Sequence, residues 1–419
     1  MKVLYVVDDR PLSPNGPGGS GTVFLSNLSL LNGAGAELSL CLVRDPAHPL
    51  GFEDWKRVHS DDWKRIQSWC SEVHYVELTI PQTRDDWFRR KLKALVDPDS
   101  FIYPFLNEEN ISRLSRVIES VKPDLIWAAA LRPGLLSTRK ITDVPVIYEH
   151  HDWFWRIRKY RDGKSRYGIR DRALWHLRKQ VEDRLVRRVA GCVTNSVTEG
   201  GDLRRLRVKN VARYPLTWPT YNSELPNSAP VPVRVIHLGN LHTTASSIGL
   251  ERFLEIAWPL VLEQSEVPPE LWIVGDMTSV SESLRKRLQD IRATCTGYVP
   301  DLGTILRPYD IHVIPWEYDT GIRTRALACL HYAQVLLGTC ASVACHDGFS
   351  SGENCILVDN LEEMGRCIIK LLNNHELRLR LGKAGNRLLT ERFSPAVVQP
   401  VFNNWFDSLS YKLTRDAKA

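Results

Sequence analysis

The sequence predicts an α/β protein made of two similar lobes, each with a parallel sheet covered by helices. Three observations lead to this fold class. Short apolar runs alternate with helical patterns in both halves, a proline-rich stretch separates the halves, and 419 residues exceed the size of one compact core. Because a helix that connects two strands returns the chain to the same edge, this alternation predicts parallel strands with right-handed crossovers.

The first lobe is expected to span residues 1–215, and it opens with an apolar strand at 3–7. A glycine-rich loop follows, after which apolar residues recur at helical spacing from Val23 to Leu31. The same spacing predicts a longer helix from Leu174 to Val189. Four further apolar runs predict buried strands, at 38–43, 123–129, 145–150 and 191–196.

A proline-rich hinge is predicted at residues 216–232, where no hydrophobic periodicity is sustained. The alternation restarts in the second lobe, 233–394, and residues 395–419 are expected to form a C-terminal helix and tail. The strands predicted in the second lobe are "VRVIHLG", "LWIVGD", "DIHVIP", "VLLGT" and "NCILVDN". Open parallel sheets bind ligands at the carboxyl ends of their strands, so we expect a site in the cleft between the lobes.

Composition indicates a globular protein, with 43% hydrophobic and 25% charged residues. No apolar run reaches the ~18 residues that span a bilayer. The first ten residues, "MKVLYVVDDR", lack the apolar core of a signal peptide, so we expect a cytoplasmic protein. The nine cysteines are scattered without a C-x-x-C pair, which favours reduced, buried thiols over a zinc site.

One segment of the chain is strongly basic, because residues 153–188 hold thirteen Lys and Arg against four acids. Aromatic residues interleaved with cations suit an anionic membrane surface or an acidic acceptor, and Arg156, Arg158 and Lys159 are the expected contacts. No nucleic-acid recognition module accompanies this charge, so nucleic acid is not expected as a partner. A solvated helix face is the alternative for these cations.

The glycine-rich loop "NGPGGSG" satisfies the G-x-G-x-x-G pattern of dinucleotide-binding proteins. Eight residues separate it from the first strand and Pro17 interrupts it, so binding of NAD or FAD is disfavoured. A loop that lets backbone N–H groups near Gly18 and Gly19 approach a phosphate or a sugar is favoured. A plain surface loop is the alternative.

The second half contains an ordered series of phrases, "HLGNLHTTASSIGLERFLEIAWPLV", "LWIVGD", "TGYVPDLGTILRPYDIHVIPWEYDTGIRTRALACL" and "ENCILVDNLEEMGRCIIKLLNNHELRLRLGKAGNRLL". This series, which covers nearly all of 235–392, resembles the donor domain of GT-B glycosyltransferases. It is most similar to the large retaining group called family 4, or glycosyltransferase group 1. The first half is similar more loosely, through its opening strand, its glycine loop and "VIYEHHDWFW".

The resemblance implies two Rossmann-like lobes facing a central cleft, with a C-terminal helix that returns to the first lobe. It also implies a nucleotide-sugar donor bound by the second lobe and a glycan or lipid-linked acceptor bound by the first. Members of the group typically need no metal, so neither a metal nor another cofactor is expected. The nucleotide-sugar is a substrate.

The phrase "DTGIRTRALACL" sets two permanent cations, Arg323 and Arg325, at the start of a predicted helix. Without a metal, cations and helix N–H groups must neutralise a leaving diphosphate, so the pair predicts an anion site. The resemblance matches Arg325 to the family's phosphate-binding Lys or Arg, but Ala328 replaces the glutamate that binds the donor ribose. A solvated helix start is the alternative. Other donor-site candidates at this and neighbouring turns are Glu317, Asp319, Thr320, Gly321, Gly239, Asn240, Tyr298 and Val299.

The phrase "YEHHDWFW" places His150, His151 and Asp152 at the end of a predicted strand. Neighbouring residues on an extended segment point in opposite directions, so only one of the two histidines can face a given ligand. The resemblance matches His151 to a family histidine that contacts the sugar or phosphate near the reacting carbon. Asp152 could orient its neighbour or act as a base, although in retaining members the leaving phosphate is thought to take the acceptor proton.

These observations predict a glycosyltransferase that moves a sugar from a nucleotide donor to a glycan or lipid-linked acceptor. Cell-envelope or surface polysaccharide synthesis is the expected setting, with peripheral attachment to the inner face of the membrane through 153–188. Two alternatives remain open at this point. Ala328 suits a non-catalytic protein of the same fold that binds a glycan or a partner, and a nucleotide-sugar epimerase would share the two-lobe architecture.

Overall fold

The computed structural model describes residues 1–8, 19–45, 60–80, 97–139, 143–156, 169–220, 224–241, 244–278 and 280–416. The chain divides into two compact units. Unit 1 comprises Met1–Ser13, Phe24–Tyr214 and Gln399–Ala419, and unit 2 comprises Pro14–Val23 and Pro215–Val398. Each unit contains a parallel sheet flanked by helices, which confirms the predicted α/β fold class.

The sheet of unit 1 has seven parallel strands in the order β3-β2-β1-β4-β5-β6-β7. The strands are β1 (Lys2–Asp8), β2 (Glu37–Arg44), β3 (Cys70–Glu77), β4 (Leu125–Ala129), β5 (Val146–Glu149), β6 (Gly191–Thr194) and β7 (Val211–Arg213). Strands β2 and β3 follow on one side of β1, and strands β4 to β7 follow on its other side. This reversal is a topological switch point, where open α/β sheets bind their ligands.

The helices of unit 1 cover the sheet and bury apolar residues against it. They are α1 (Gly19–Gly33), whose first turn falls in unit 2, α2 (Ser60–Trp69), α3 (Pro98–Ile102), α4 (Glu108–Val121), α5 (Leu131–Ser137), α6 (Ile169–Arg188) and α7 (Val197–Arg205). Several begin at side-chain caps, because Asn107 accepts from the N–H of Asn110 and Ser196 accepts from that of Glu199.

Unit 2 repeats the plan with six parallel strands in the order β10-β9-β8-β11-β12-β13, so its switch point lies between β8 and β11. The strands are β8 (Arg234–Leu238), β9 (Glu270–Val274), β10 (Thr294–Gly297), β11 (Ile311–Ile314), β12 (Val335–Thr339) and β13 (Ile356–Val358). The helices are α8 (Thr244–Gln264), α9 (Glu282–Asp290), α10 (Thr324–His331), α11 (Cys340–Val343), α12 (Leu361–Leu372) and α13 (His375–Leu388).

The last helix, α14 (Pro395–Asp416), completes unit 1. Gln399 Nε2 donates to the carbonyl oxygen of Leu30 in α1 at 2.9 Å. Phe402 is fully buried, and its ring and that of Trp405 lie 6.1 and 6.0 Å from the Trp127 ring. The helix therefore supplies aromatic core to the first unit, as the resemblance implied. Among the described helices, none combines the length and the hydropathy that crossing a bilayer requires.

Candidate functional site

The Arg325 side chain is buried near the carboxyl end of β8 in unit 2. Its Nη1 donates to the carbonyl oxygen of Leu238 at 3.1 Å and lies 3.4 Å from Ser246 Oγ and from His237 Nε2. Burial, followed by the Arg325 charge, holds the pKa of His237 well below its ordinary value, so this imidazole is neutral. Within the described residues, Arg325 therefore has neutral partners and no carboxylate.

The same burial, with Arg323 close by, lowers the pKa of Arg325 to about 9. The pKa is lowered because the charged form of Arg325 is held away from water and, among the described residues, has no counter-charge beside it. Of the five donor hydrogens of a guanidinium, the neutral acceptors around Arg325 occupy few. An anion placed against this side chain would supply a counter-charge and the missing hydrogen-bond acceptors.

Arg323 is the N-cap residue of α10, and it makes no side-chain capping bond to the helix. Its Nη2 donates to Thr320 Oγ1 at 2.7 Å, and its guanidinium lies 5.7 Å from the centre of the Trp316 ring. Trp316 Nε1 donates to the same Thr320 hydroxyl at 3.1 Å. Thr320 thus holds a cation in place. Among the side chains that the structure describes, none is seen to cap the start of α10, which lies beside two guanidinium groups.

Gly239 lets the backbone approach Arg325 closely. It follows β8 with φ +143°, and a Cβ there would lie 2.9 Å from Ser246 Oγ and 3.2 Å from Arg325 Nη1. Gly275 follows β9 with φ +141°, and a Cβ there would clash with the carbonyl oxygen of Gly239. A side chain at either turn would be strained, and one at Gly239 would also crowd the guanidinium.

The start of α1 lies beside the start of α10 in unit 2. A Cβ at Gly19 would lie 2.6 Å from Thr324 Oγ1, so the first turns of the two helices are in direct contact. Helix amino termini carry partial positive charge, and here two of them adjoin Arg323 and Arg325. Gly19 is therefore placed next to the donor candidates. Gly18 lies outside the described residues.

The acidic candidates in this region are occupied or displaced. Glu317 bonds to Arg252 of α8 through two contacts, of which Oε1 to Nη2 is 3.3 Å. Ala328 is buried in an apolar cluster, one helical turn beyond Arg325. Asp319 is half-buried and has a polar contact of its own. Glu317 is therefore engaged by Arg252, and Ala328 has no carboxylate.

The remaining donor candidates separate into two groups. Gly321 lies in the turn before α10, and Asn240 follows Gly239 after β8, so both belong to the region around Arg325. Tyr298 and Val299 follow β10, which is two strands away from β8 in the sheet. The structure places these two at a different strand end.

Glu149 ends β5 in unit 1, and its carboxylate is fully buried. Oε2 accepts from the Tyr5 hydroxyl at 2.9 Å and from Trp127 Nε1 at 2.7 Å. Oε1 lies 2.5 Å from His151 Nε2, and the His151 ring packs 4.8 Å from that of Phe24. Sequence reasoning missed Glu149, and the available signal was an acidic residue closing an apolar strand.

His150 points the other way, as the alternation of an extended segment predicts. Its Nε2 lies 3.2 Å from Glu199 Oε2 in α7, and its ring makes an edge contact with Trp153 at 4.5 Å. Both partners of this pair are about 1% exposed. The structure therefore does not bring His150 and His151 together. Asp152, the third member of the predicted cluster, is half-buried.

A second ionised group lies at the carboxyl ends of β1, β2 and β4. Arg132 Nη1 lies 3.3 Å from Asp8 and its Nη2 lies 2.9 Å from Asp45. The guanidinium also lies 5.5 Å from the centre of the Phe105 ring. Sequence reasoning did not connect these residues, because they are far apart in the chain and meet only through the strand order.

Four of the described cations of the basic segment, Arg156, Lys179, Arg184 and Arg188, are paired within unit 1. Arg156 bonds to Asp202 and lies 3.8 Å from Glu199. Arg184 and Arg188 both bond to Asp99. This pairing reduces the charge that these residues offer to a partner. Arg158 and Lys159 lie outside the described residues.

Within the part of the chain that the structure describes, no group of three or more His, Cys, Asp or Glu side chains is arranged to hold a metal ion. The nine cysteines are free thiols, and most are buried. Burial raises the pKa of several of them, including Cys41, Cys70 and Cys345, each to about 12. These thiols are therefore protonated at neutral pH.

Solved structures share this fold across nearly the whole chain. Sucrose-phosphate synthase from Thermosynechococcus elongatus is 14% identical with a TM-score of 0.65, covering 98% of this chain and 100% of that one. Anabaena HepE in complex with UDP-glucose is 12% identical with a TM-score of 0.66, covering 97% and 100%. A S. aureus TarM variant in complex with Fondaparinux, alpha-GlcNAc-glycerol and UDP is 11% identical with a TM-score of 0.67, covering 97% and 99%. The fold is that of the GT-B glycosyltransferases.

Family models identify both halves. Residues 17–214 match the model described as Glycosyltransferase Family 4, and residues 232–374 match the model described as Glycosyl transferases group 1. The two matches together span most of the chain, which therefore belongs to the family 4, group 1 glycosyltransferases. A search of curated proteins by sequence gave no match.

Proposed function

We propose that the protein transfers a sugar from a nucleoside-diphosphate donor to a hydroxyl group of a glycan or lipid-linked acceptor. The observation that carries this proposal is Arg325, a buried cation with only neutral partners among the described residues. A diphosphate is the ligand that matches it, because phosphate oxygens are anionic and accept bidentate hydrogen bonds from arginine. Among the structural neighbours, the HepE and TarM complexes contain UDP or UDP-glucose, which makes UDP the first nucleotide to test.

In this proposal, unit 2 stabilises the leaving group. As the bond to the sugar breaks, negative charge accumulates on the diphosphate. Arg325 and Arg323 adjoin the uncapped start of α10, so their charges and the helix N–H groups can stabilise that charge without rearrangement. The two guanidinium groups perform the neutralisation that a divalent cation would otherwise supply, so we propose that transfer is metal-independent.

Unit 1 binds the acceptor in this proposal. His151 and the Asp8, Asp45 and Arg132 group lie at the carboxyl ends of its strands, on both sides of the switch point. Carboxylates and imidazoles are suited to hydrogen bonds with sugar hydroxyls. The glycan named in the TarM complex supports an acceptor of this chemistry. Surface polysaccharide synthesis is the setting that we propose.

Isothermal titration with UDP, GDP, ADP, CDP and dTDP, in buffer containing EDTA, tests the donor site. We expect at least one nucleotide to bind, and Arg325→Ala to weaken that binding about 100-fold, since a hydrogen bond to a charged group contributes about 1.5–3 kcal/mol. Arg380→Ala is the matched control, because this exposed arginine donates to the carbonyl oxygen of Gly352 in the same unit. The absence of binding by every nucleotide would overturn the proposal.

A non-catalytic binding protein is the second candidate, and Ala328 favours it because the ribose-binding acid is missing. Incubation of the protein with UDP-glucose or another bound nucleotide-sugar distinguishes the two. Release of nucleotide that disappears in Arg325→Ala establishes catalysis. Nucleotide binding with no release or transfer, in the presence of any acceptor tested, would favour the binding protein, and conversion of the sugar without an acceptor would indicate an epimerase.

A further inference from the structure

We propose that Glu149 is a positioning residue that fixes the tautomer of His151. In this assignment, Nε2 of His151 carries the hydrogen and donates it to Glu149, which leaves Nδ1 as an acceptor for a substrate hydroxyl. The inference rests on the proposed function, because it gives His151 a role in sugar binding. It concerns a residue that sequence reasoning passed over.

Two groups besides His151 contact the Glu149 carboxyl group, and both use Oε2. Trp127 Nε1 can only donate, and it lies 2.7 Å away. Burial, and then the Glu149 charge, raises the pKa of Tyr5 well above its ordinary value, so its hydroxyl keeps its proton. That hydroxyl lies 2.9 Å from Oε2 and 3.2 Å from its other acceptor, the carbonyl oxygen of Phe24. The other oxygen, Oε1, remains for His151.

The contact of 2.5 Å between Glu149 Oε1 and His151 Nε2 requires one hydrogen between the two atoms. In the proposal, Nε2 carries this hydrogen and Glu149 is the acceptor. In a neutral imidazole the other nitrogen, Nδ1, then has a free lone pair. Phe24, 4.8 Å away, holds the plane of the ring. The opposite placement, with the hydrogen on Oε1 of the buried carboxyl group, is the outcome that an NMR spectrum distinguishes.

The other histidine–glutamate pair, His150 and Glu199, is more deeply buried than His151 and Glu149. His150 and Glu199 have the same chemistry, but their side chains are each 1% exposed, whereas the His151 side chain is 10% exposed. A ligand can reach His151 and cannot reach His150. We therefore give the His151–Glu149 pair a positioning role and the His150–Glu199 pair a structural role. Glu199 is the matched control for Glu149.

Glu149→Gln makes the proposal testable, because it changes one atom and reverses one hydrogen bond. The amide oxygen can still accept from Tyr5 and Trp127, while the amide NH₂ then faces His151 Nε2. That nitrogen must become an acceptor, so the hydrogen moves to Nδ1, and a substrate hydroxyl meets a donor in place of an acceptor. The size of the side chain is unchanged.

The tautomer can be read by long-range ¹H–¹⁵N NMR on the full-length protein with ¹⁵N-labelled histidine, at a pH near 8.5 where an ordinary imidazole is neutral. His151→Gln identifies the resonances. We expect the Nε2–H pattern for His151 in the wild type and in Glu199→Gln, and the Nδ1–H pattern in Glu149→Gln. An Nδ1–H pattern for His151 in the wild type would overturn the proposal, and this result needs no variant other than the one used to identify the resonances.

Steady-state kinetics measure the effect of Glu149 on sugar transfer. We expect Glu149→Gln to lower kcat/KM for sugar transfer by about 10- to 100-fold, the size of one misdirected hydrogen bond to substrate. Glu199→Gln should stay within about threefold of the wild type by the same measure. Equal losses in the two variants would mean that Glu149 is merely structural. If the wild type neither binds nucleotides nor transfers sugar, the proposed function fails, while the NMR spectra still report the tautomer.

Discussion

The buried ionisable groups of the two units have opposite surroundings. The Glu149 carboxyl group in unit 1 has three polar partners within 2.9 Å. Arg325 in unit 2 is a cation whose bonds are 3.1 Å or longer and whose partners are neutral. The Glu149 group is held by partners within the fold, which suits a fixed support. The Arg325 group is not held in this way, and this difference is the reason why we propose a positioning role for the first and a ligand-binding role for the second.

Glu149→Ala should give the largest effect, because it removes the partner of Trp127 and of His151 and the shorter of the two acceptor contacts of the Tyr5 hydroxyl. Each unsatisfied buried group costs about 1–3 kcal/mol, so we expect the free energy of unfolding to fall by about 3 kcal/mol or more. Urea unfolding followed by tryptophan fluorescence measures this. Glu72→Ala is the control in the same unit, since this carboxylate is half-exposed and pairs with His74. Equal stability of the two variants would show that water replaces the three bonds.

Arg325→Met should act in the opposite direction on the free protein. Removal of a buried cation that lacks a counter-charge should leave the stability unchanged or raise it, by about 1 kcal/mol. The stabilisation by UDP should disappear, a loss of about 2.7 kcal/mol at a nucleotide concentration 100 times Kd. Thermal unfolding with and without UDP measures both quantities, with Arg380→Met as control. A clearly less stable free variant would mean that Arg325 holds the fold together.

Gly239→Ala sharpens the comparison at the backbone of the cation site. The residue has φ +143°, and the new Cβ would lie 3.2 Å from Arg325 Nη1. We expect nucleotide affinity to fall about tenfold, since strained backbone conformations cost about 1–3 kcal/mol. Gly352→Ala is the matched control, because it has φ +84° and a Cβ there would meet nothing within 4 Å. Equal affinities in the two variants would mean that the turn at Gly239 does not contribute to nucleotide binding.

Glu182 extends the comparison to a second buried acid in unit 1. Tyr103 donates to it at 3.3 Å, yet burial raises its pKa to about 8. Because the unfolded carboxyl ionises near its ordinary value of about 4.5, the folded state loses stability as pH rises from about 4.5 to 8. Glu182→Gln should remove this loss.

The prediction for Glu182→Gln is a difference in melting temperature that grows with pH. Relative to the wild type, the variant should gain about 2–4 °C between pH 5 and pH 8. Differential scanning fluorimetry across this range measures the gain, and Glu72→Gln should show no such trend. A constant difference across the range would mean that Glu182 does not titrate there.

The sequence predicted the fold class and the strands that are apolar, but it missed β3, β7 and β10. These strands lie near or at the edges of the sheets, where one side of the chain faces water. Their residues are consequently polar or mixed, as in "TCTG" of β10. Hydrophobic periodicity detects burial, so it cannot detect strands that are mostly exposed.

The site was predictable where local chemistry defines it. Arg323 and Arg325 were found because two cations at a helix start are unusual, and the opposite directions of His150 and His151 follow from strand geometry. Glu149 was missed because its donors come from elsewhere, with Tyr5 lying 144 residues away. The bond of Arg156 to Asp202 within unit 1 was likewise not predicted from the sequence. Such pairings depend on the tertiary fold.

The position of α14 has a consequence for how the chain must fold during synthesis. Gln399 bonds to Leu30 across 369 residues, and Phe402 packs 5.1 Å from Tyr214. A nascent chain that has emerged only as far as Tyr214 lacks this helix, so the aromatic core of its first unit stays incomplete until Pro395–Asp416 has been synthesised. A ribosome-stalled or truncated fragment ending at Tyr214 should be cleaved readily by proteases. Addition of a separate peptide covering α14 should slow this cleavage.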